Sequence, residues 1–313
     1  MIRFLVGRLA MAVPTLIIIS IAVFLMMRAI PGDPATAMLG DLATPEMIAR
    51  LKARMGLDQP LPVQYFVWLG DILTGDFGRS ISTGDLVLPL MLERFQISAL
   101  IVVTAVFLAS AVAIPLGMFA AWRQGSAWDL STVAVSTFLL SLPSFWLGLI
   151  ILMIFGLRLG WFPVLGTIGM SEGGWTKIAA LIMPVLTLLL IEMGAILRMI
   201  RASTIEVLRQ EYITHARAKG LSEWTVMWRH AFRNAFAPTW TLIGLILGAL
   251  LGGIAVVETV FTIPGLGRLL VQAIYTRDYP VVQGCILMIA VTYVLLNLLI
   301  DMLYPVFDPK VAR

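Results

Sequence analysis

The feature that most constrains this chain is a series of apolar runs from which charge is nearly absent, each close to the roughly 20 residues that a helix needs to cross a membrane. An α-helix rises about 1.5 Å per residue, so such a run spans the roughly 30 Å hydrocarbon layer of a bilayer. Charged residues make up only 13% of the 313 residues, against about 25% in soluble domains. Too few charges remain to cover a water-facing surface, and we therefore expect an all-α integral membrane protein.

Six runs of this kind predict six transmembrane helices. They cover residues 9–30, 97–121, 130–155, 178–197, 239–257 and 283–303. The first run could alternatively be a secretory signal peptide, because Ala35 and Ala37 resemble a small-residue cleavage site. However, its uncharged stretch from Leu9 to Met27 is longer than the roughly 7–15 residues of a signal core, and Arg28 separates it from that site. We therefore expect an uncleaved first helix.

The chain between the first two spans is hydrophilic and too long for a hairpin. Thr44 followed by Pro45 is typical of a helix start, and Gly56 of a helix end. A second short helix is predicted over residues 62–73. Together they predict a small extracytoplasmic helical layer. Three regions result: residues 1–96 with the first span and this layer, 97–305 with spans two to six, and a tail of 306–313.

Basic residues predict how the chain is inserted, because cytoplasmic loops are enriched in Lys and Arg. Six spans place both termini on one side of the membrane, and that side also carries the basic loop 198–233. The opposite side has fewer basic residues once the long first segment, which translocates regardless of charge, is set aside. We therefore predict that both termini are cytoplasmic.

Small residues recur at every fourth position in two of the predicted spans. They are Ala105, Ala109, Ala113, Gly117 and Ala121 in span two, and Gly244, Gly248 and Gly252 in span five. Such stripes let helix backbones approach closely in lipid, where no hydrophobic effect drives helices together. The stripes predict either packing within this subunit or contact with a second membrane subunit.

The loop 199–238, between spans four and five, has the clearest pattern outside the membrane. Ser203 and Glu206 have the spacing of a capping box, which predicts the start of a short helix. Gly220 suits the left-handed position just past a helix end, and Ser222 can cap a second short helix.

The second short helix would have an apolar face made of Trp224, Trp228 and either Ala231 or Phe232. Pro238 would mark the beginning of span five. Two short helices joined by a glycine turn would then project from the membrane. On periodicity alone, the same pattern fits a plain connector that rests on lipid headgroups.

The run EYITHARAKGLSEWTVMWRHAFRNAFAP, residues 211–238, resembles the EAA loop of permease subunits in binding-protein-dependent ABC importers. In that family the loop forms a coupling helix that docks into a groove on the cytoplasmic ATPase. The glycine of the motif falls on Gly220 and the alanine four positions earlier on Ala216. The resemblance implies these coupling residues: Glu211, Thr214, His215, Ala216, Arg217, Ala218, Lys219, Gly220 and Leu221.

The loop departs from the general family pattern at two places. Thr214, His215 and Ala216 stand where Glu-Ala-Ala is usual, so a salt bridge of that glutamate is not carried over. HAFR at 230–233 stands where Ile-x-Leu-Pro is usual, but ARAKGL and HAFRNA resemble the peptide and nickel branch specifically. Further segments match that branch in order: PGDPA (31–35), GLDQPLPVQY (56–65), LPSFWLG (142–148), LGWFPVLG (159–166), VETVFTIPGLGRL (257–269), RDYPVVQG (277–284) and NLLIDMLYPVFDP (297–309).

This resemblance implies the six-span type I ABC importer permease fold, in the first of two homologous permeases. The implied function is ATP-driven import of peptides across the bacterial cytoplasmic membrane by alternating access, with nickel or another small solute as the alternative cargo. Implied partners are the second permease, two ATP-binding subunits, an extracytoplasmic binding protein and the lipid bilayer, with no nucleic acid.

ATP hydrolysis is expected outside this chain. The sequence contains no G-x-x-x-x-G-K-[ST] motif, since none of its four lysines follows a glycine. We therefore expect no cofactor in this chain, with ATP and Mg bound at the partner subunits.

Two other protein classes stay open at this point. A membrane enzyme would need a nucleophile and a base together in the membrane, and no histidine lies in a predicted span, so we predict no catalytic residue and no metal site. A self-contained secondary transporter would tend to show internal repeats or broken helices with midplane charges, and no repeat is evident.

Two acidic residues are candidates for a translocation pathway or gate. Glu192 lies within span four, where an ionisable group is costly and is by default a functional hypothesis; pairing with Arg198 is the alternative. Glu258 begins an extracytoplasmic segment that turns at Pro264 and Gly265. It is either a plain interfacial residue or a part of the outer gate or of the contact with the binding protein.

Overall fold

The computed structural model describes residues 2–29, 44–54, 56–166 and 174–307, and this part of the chain is almost entirely helical. Its helices are α1 Ile2–Ala29, α2 Pro45–Arg54, α3 Leu61–Thr74, α4 Val87–Trp122, α5 Ala127–Ser141, α6 Ser144–Ile151, α7 Gly174–Leu208, α8 Glu211–Ala218, α9 Glu223–Gly253, α10 Ala255–Val260, α11 Leu266–Tyr275 and α12 Tyr279–Phe307. The PGDPA motif at 31–35 and the tail beyond residue 307 lie outside the described residues.

Five described helices, α1, α4, α7, α9 and α12, are long and apolar enough to cross a membrane, and the number is six if a bent pair of helices counts as one span. The sixth is the predicted span 130–155, which is not one straight helix. α5 and the helical segment 144–158 meet at an angle of 99°. The break lies at Leu142, whose extended backbone (φ −85°, ψ 128°) precedes Pro143. Proline lacks an N–H and disfavours the helical conformation of the residue before it, so the helix ends there.

α4 is longer than the span predicted at 97–121. Its 36 residues begin at Val87, so the helix is about 54 Å long and exceeds the roughly 30 Å hydrocarbon layer. Residues 96 and 97, where we placed a regional boundary, therefore lie inside one helix.

Both small-residue stripes pack within this subunit. In α4 the four alanines and Gly117 are buried, and a side chain at Gly117 would meet Ile200 and the backbone of Leu197 in α7. In α9 a side chain at Gly244 would meet Ile300, and one at Gly248 would meet the ring of Tyr293, both in α12. The glycines thus bring helix backbones together inside the subunit, and the prediction of internal packing is the correct one.

The two ends of the described chain lie on the same side of the helical bundle. Arg8 in α1 pairs with Asp301 in α12 at 2.8 Å. α9 runs antiparallel to α12, because Gly244 faces Ile300 while Gly248 faces Tyr293, and the indole N–H of Trp240 donates to the carbonyl of Ile300. The start of α9 and the preceding α8 therefore lie at the same end of the bundle as both chain ends.

The two predicted short helices between the first spans are present as α2 and α3. Thr44 accepts a hydrogen bond from the N–H of Met47 at the start of α2. α3 ends at Gly75 in the left-handed conformation (φ 87°), and it docks on α1 through a 2.8 Å hydrogen bond between the hydroxyls of Tyr65 and Ser20. The predicted helical layer is thus fastened to the first span.

Asp278, the residue directly before α12, binds the loop that precedes α4. Its carboxylate is buried and accepts hydrogen bonds from the hydroxyls of Ser80 and Ser82 and from the backbone N–H groups of Ile81 and Ser82. Burial opposes ionisation of Asp278, but these hydrogen bonds favour the carboxylate more strongly, and its pKa is lowered. The loop is therefore held by a charged group that ionises readily.

Replacement of Gly248 tests the packing of α9 on α12. Gly248→Ala should lower the free energy of unfolding by about 1–3 kcal/mol, because the added methyl group meets the ring of Tyr293. Gly253→Ala is the control in the same helix, since nothing lies within 4 Å of a side chain there. Thermal denaturation of the purified protein in detergent measures the difference. Equal stability of the two variants would contradict this packing.

Replacement of Asp278 tests the loop anchor through its pH dependence. A carboxyl group with a lowered folded-state pKa stabilises the fold above its unfolded pKa of about 4 and loses that contribution as the pH falls through the folded value. Asp278→Asn should therefore denature at a lower temperature than wild type at pH 7, with the difference shrinking below about pH 4. A difference independent of pH would show that the charge of Asp278 is not what holds the loop.

Candidate coupling site and outer gate

The loop predicted at 199–238 is mostly helix that continues the adjoining spans. α7 runs on through Ser203, which is buried inside the helix, so the predicted capping box is wrong. The chain leaves the helix at Arg209 and Gln210 and then forms the short helix α8. Ser203 stays helical because the apolar pattern of α7 continues past it and packs, which outweighs the local capping preference.

α8 is anchored on three spans by a small apolar core that we call the inner cluster. Its members come from α4, α7, α8 and α9: Met118, Ile200, Ile213, Ala216, Val226, Met227, Ala231 and Ala235. Ile213 is fully buried and Ala216 is 6% exposed. A shift of α8 must therefore either move these spans with it or open a packed apolar core, and exposing that core to water costs free energy.

The remaining coupling residues of α8 and its turn face solvent. They are Glu211, Thr214, His215, Arg217, Ala218, Lys219, Gly220 and Leu221. Ala216 is the exception among the coupling residues, because it is buried against the inner cluster of this chain. A charge at Ala216 would thus disturb packing within the subunit and not a contact with a partner.

Gly220 forms the turn between α8 and α9 as predicted. Its φ of +78° is left-handed, and its N–H donates to the carbonyl of Arg217 at 2.9 Å. Arg217 and Glu223 close the turn with two hydrogen bonds of 2.8 and 3.1 Å, and Ser222 caps the following helix by accepting from the N–H of Thr225. The tip of the loop is therefore a defined structure.

The second short helix is not separate, because Ser222 caps α9 itself. Residues Val226–Ala231 form a π-helical turn within α9, and Pro238 lies inside that helix. Trp224 and Trp228 do not form the buried face: they are 71% and 37% exposed and contact each other at 5.5 Å between ring centroids. Val226 and Met227 are buried instead. The prediction assumed a regular helical period, from which the π-helical turn departs.

An ion pair between Asp129 and Arg201 joins α5 to α7 at this same end, and no sequence pattern predicted it. The buried Asp129 accepts from two guanidinium nitrogens of Arg201, one at 2.8 Å, and from the N–H of Gly125 at 2.9 Å. The two residues are far apart in sequence, so no spacing rule links them. The one sequence feature that the two residues share is a position at the edge of a hydrophobic span.

Glu258 organises the end of the bundle opposite α8, which we call the outer end. Its side chain is fully buried in α10, where it accepts hydrogen bonds from the hydroxyl of Ser98 and from the backbone N–H of Arg268, the latter at 2.7 Å. Burial raises its pKa, against these hydrogen bonds, which favour the carboxylate. Gly265 has no room for a side chain, because the carboxylate occupies that space. Glu258 thus ties α4, α10 and α11 together, and its role in an outer gate or in the contact with the binding protein stays a prediction.

Glu192 lies in the middle of α7 and is partly exposed. Within the described residues it makes no hydrogen bond or ion pair, and the alternative of pairing with Arg198 is not realised. The structure does not bring Glu192 and Glu258 together, since Glu258 lies beyond the outer end of α9. A role of Glu192 in the pathway stays a prediction.

Comparisons with known proteins extend over the full length of the chain. Residues 113–313 match the family described as binding-protein-dependent transport system inner membrane component, and residues 1–107 match the N-terminal region of such membrane components. A peptide transport system permease protein of Brucella suis is 40% identical over 97% of both chains. The dipeptide permease DppB of Escherichia coli is 37% identical over 100% of this chain and 99% of its own length. The oligopeptide permease AppB of Bacillus subtilis is 37% identical over 99% of both chains.

The likeness to a solved structure, a crystal structure of an amino acid ABC transporter with histidines, is weaker. Its TM-score is 0.46 at 18% identity, covering 71% of this chain and 94% of that chain. The family matches and the full-length relatives agree with the type I ABC importer permease fold. The chain therefore belongs to the family of inner membrane components of binding-protein-dependent transport systems, as a multi-pass permease subunit of an ABC importer.

Proposed function

We propose that this chain is the permease subunit of an importer that moves peptides across the cytoplasmic membrane. The observation that carries the proposal is the full-length likeness to relatives that are themselves named as peptide, dipeptide and oligopeptide permeases. None of these three is named for nickel, so peptide is the favoured cargo.

The chain would work with a second homologous permease, two ATP-binding subunits and an extracytoplasmic binding protein. ATP and Mg would bind at the ATP-binding subunits, because this sequence has no phosphate-binding loop of its own. The exposed coupling residues of α8 supply a surface for one ATP-binding subunit. Glu192 lies within a membrane span, is partly exposed and has no partner among the described residues. It is therefore a candidate for lining the translocation pathway.

Coupling would pass from α8 to the spans through the inner cluster. Closure of the ATP-binding subunits would displace α8, and the buried Ile213 and Ala216 would transmit that displacement to α4, α7 and α9. Packed cores switch between discrete arrangements and do not deform continuously, which suits alternating access. The pair Asp129–Arg201 would keep α5 with α7 during this movement.

Orientation follows from the same proposal: α8 and both termini face the cytoplasm, and the loop with α2 and α3 faces outward. Single cysteines at Lys219 and Asp58, both exposed, test this in a Cys285→Ser background. An impermeant thiol reagent applied to intact cells should label position 58 and not position 219. The reverse labelling pattern would invert the topology.

Replacement of Gly220 tests the coupling turn. Gly220→Val should assemble with the complex but lose ATPase stimulation by peptide-loaded binding protein, because a β-branched residue with φ of +78° is strained by about 1–2 kcal/mol. A decrease of about five- to thirtyfold corresponds to that energy. Nothing lies within 4 Å of a side chain at this position, so the strain comes from the backbone alone.

Gly220→Asn is the matched control, because asparagine tolerates the left-handed conformation. It should keep most of the stimulation in the same reconstituted complex. Full stimulation and uptake in both variants would reduce the loop to a connector. An equal decrease in both variants would mean that the partner subunit leaves no room for a side chain at position 220. The backbone conformation would then not be the cause.

A further inference from the structure

Two arginines line a cavity at the outer end of the bundle. The cavity has a volume of about 210 Å³, and none of its lining residues is acidic. They are Arg94, Pro264, Gly265, Arg268, Leu269 and Gln272. We call this cavity the arginine pocket.

The arginine pocket opens at the end opposite the coupling helix. Arg94 lies near the start of α4, and Met118 of the inner cluster lies 24 positions later in the same helix. That separation is about 36 Å along the helix axis, more than the roughly 30 Å hydrocarbon layer. One continuous helix thus joins the arginine pocket to the coupling end.

The guanidinium groups keep unused hydrogen-bonding capacity. Arg94 donates from Nη1 to the carbonyl of Pro264 at 3.3 Å, while its Nε is buried with no partner in the described structure. The side chain of Arg268 makes no hydrogen bond to any described residue; only its backbone N–H does, to Glu258. An arginine offers five N–H donors, and leaving a buried donor unpaired costs free energy. Both groups are therefore suited to a ligand with oxygen acceptors.

The pocket is held rigidly by the packing behind it. The hydroxyl of Ser98 donates to Glu258 and accepts from the backbone N–H of Leu266, which fixes α11 against α4. Glu258 is the acidic group next to the pocket, but its carboxylate oxygens are engaged by Ser98 and by the backbone N–H of Arg268. Glu258 attracts Arg268 electrostatically, but it accepts no hydrogen bond from either guanidinium group.

We propose that the arginine pocket binds one Asp or Glu side chain of the extracytoplasmic binding protein. This inference rests on the proposed function, which supplies that partner. A carboxylate matches the planar donor geometry of arginine with two parallel hydrogen bonds. The volume falls below the 300–1,000 Å³ of pockets that enclose whole small ligands, so it fits one anchoring side chain better than a peptide.

The pocket would connect docking at the outer end to the inner cluster, because both include residues of α4. A carboxylate bound between Arg94 of α4 and Arg268 of α11 joins two elements whose relative position Ser98 and Glu258 already fix. Arg94 shares its helix with Met118, which belongs to the inner cluster. Docking would thus bias the position of α4, and two positive charges would also accelerate the encounter with an acidic surface.

The test uses the complete complex in lipid nanodiscs and titrates it with peptide-loaded binding protein. Arg268→Gln carries the test, because this side chain makes no hydrogen bond that holds the described fold together. It should raise the binding-protein concentration for half-maximal binding and for half-maximal ATPase stimulation by about fivefold or more, and weaken the dependence of binding on salt. Arg268→Lys keeps the charge without the planar donors and should give a smaller rise.

Arg277→Gln is the matched control, since it removes an exposed charge at the same end of the bundle but outside the pocket. It should leave the half-maximal concentration unchanged. Co-purification of the partner subunits with each variant shows that the complex is assembled.

Three outcomes would overturn the proposal in different ways. An unchanged half-maximal concentration in Arg268→Gln would remove the pocket from docking. If Arg268→Gln leaves docking unchanged but lowers the uptake of peptides with a free C-terminal carboxylate, and not of C-terminally amidated peptides, the pocket binds the substrate instead. No binding of any binding protein by the wild-type complex would defeat the proposed function itself, and the pocket assignment with it.

Discussion

The close approach of α4 to α7 is the contact on which the rest of the bundle depends. In a bilayer the hydrophobic effect does not press helices together, so their association relies on dispersion contacts between surfaces that fit. The alanines of α4 and Gly117 provide such a surface, and Gly117 lies where any larger residue would strike Ile200. The two helices therefore form a common surface against which α5, α9 and α12 pack, while α1 packs on α12.

Two polar junctions hold the ends of this surface. At the inner end Arg201 of α7 binds the buried Asp129, and the inner cluster seats α8 beneath the same helices. At the outer end Glu258 and Ser98 bind α10 and α11 to α4. α4 carries Ser98 of the outer junction and Met118 of the inner cluster, so one continuous helix connects the two ends. In the proposed function, coupling would pass through this packing between the two ends.

The coupling turn itself was largely predictable, because it depends on local chemistry. The left-handed Gly220 and the cap at Ser222 follow from rules that involve only neighbouring residues, and both are present. The orientation of the surrounding side chains was not predictable in the same way. The π-helical turn at Val226–Ala231 departs from the regular helical period, and Trp224 and Trp228 are exposed where we predicted an apolar face.

The sequence by itself determined the membrane class, the approximate positions of the spans, the family and the location of the coupling turn. These depend on hydropathy and on residues near one another in the chain, which act before any tertiary contact forms. Only the tertiary structure decided which partner each buried charge would have: Asp129 with Arg201, Asp278 with the serines before α4, and Glu258 with Ser98. Such pairings join residues far apart in sequence, and they are fixed by the desolvation cost of a buried carboxylate, which only the folded chain can offset.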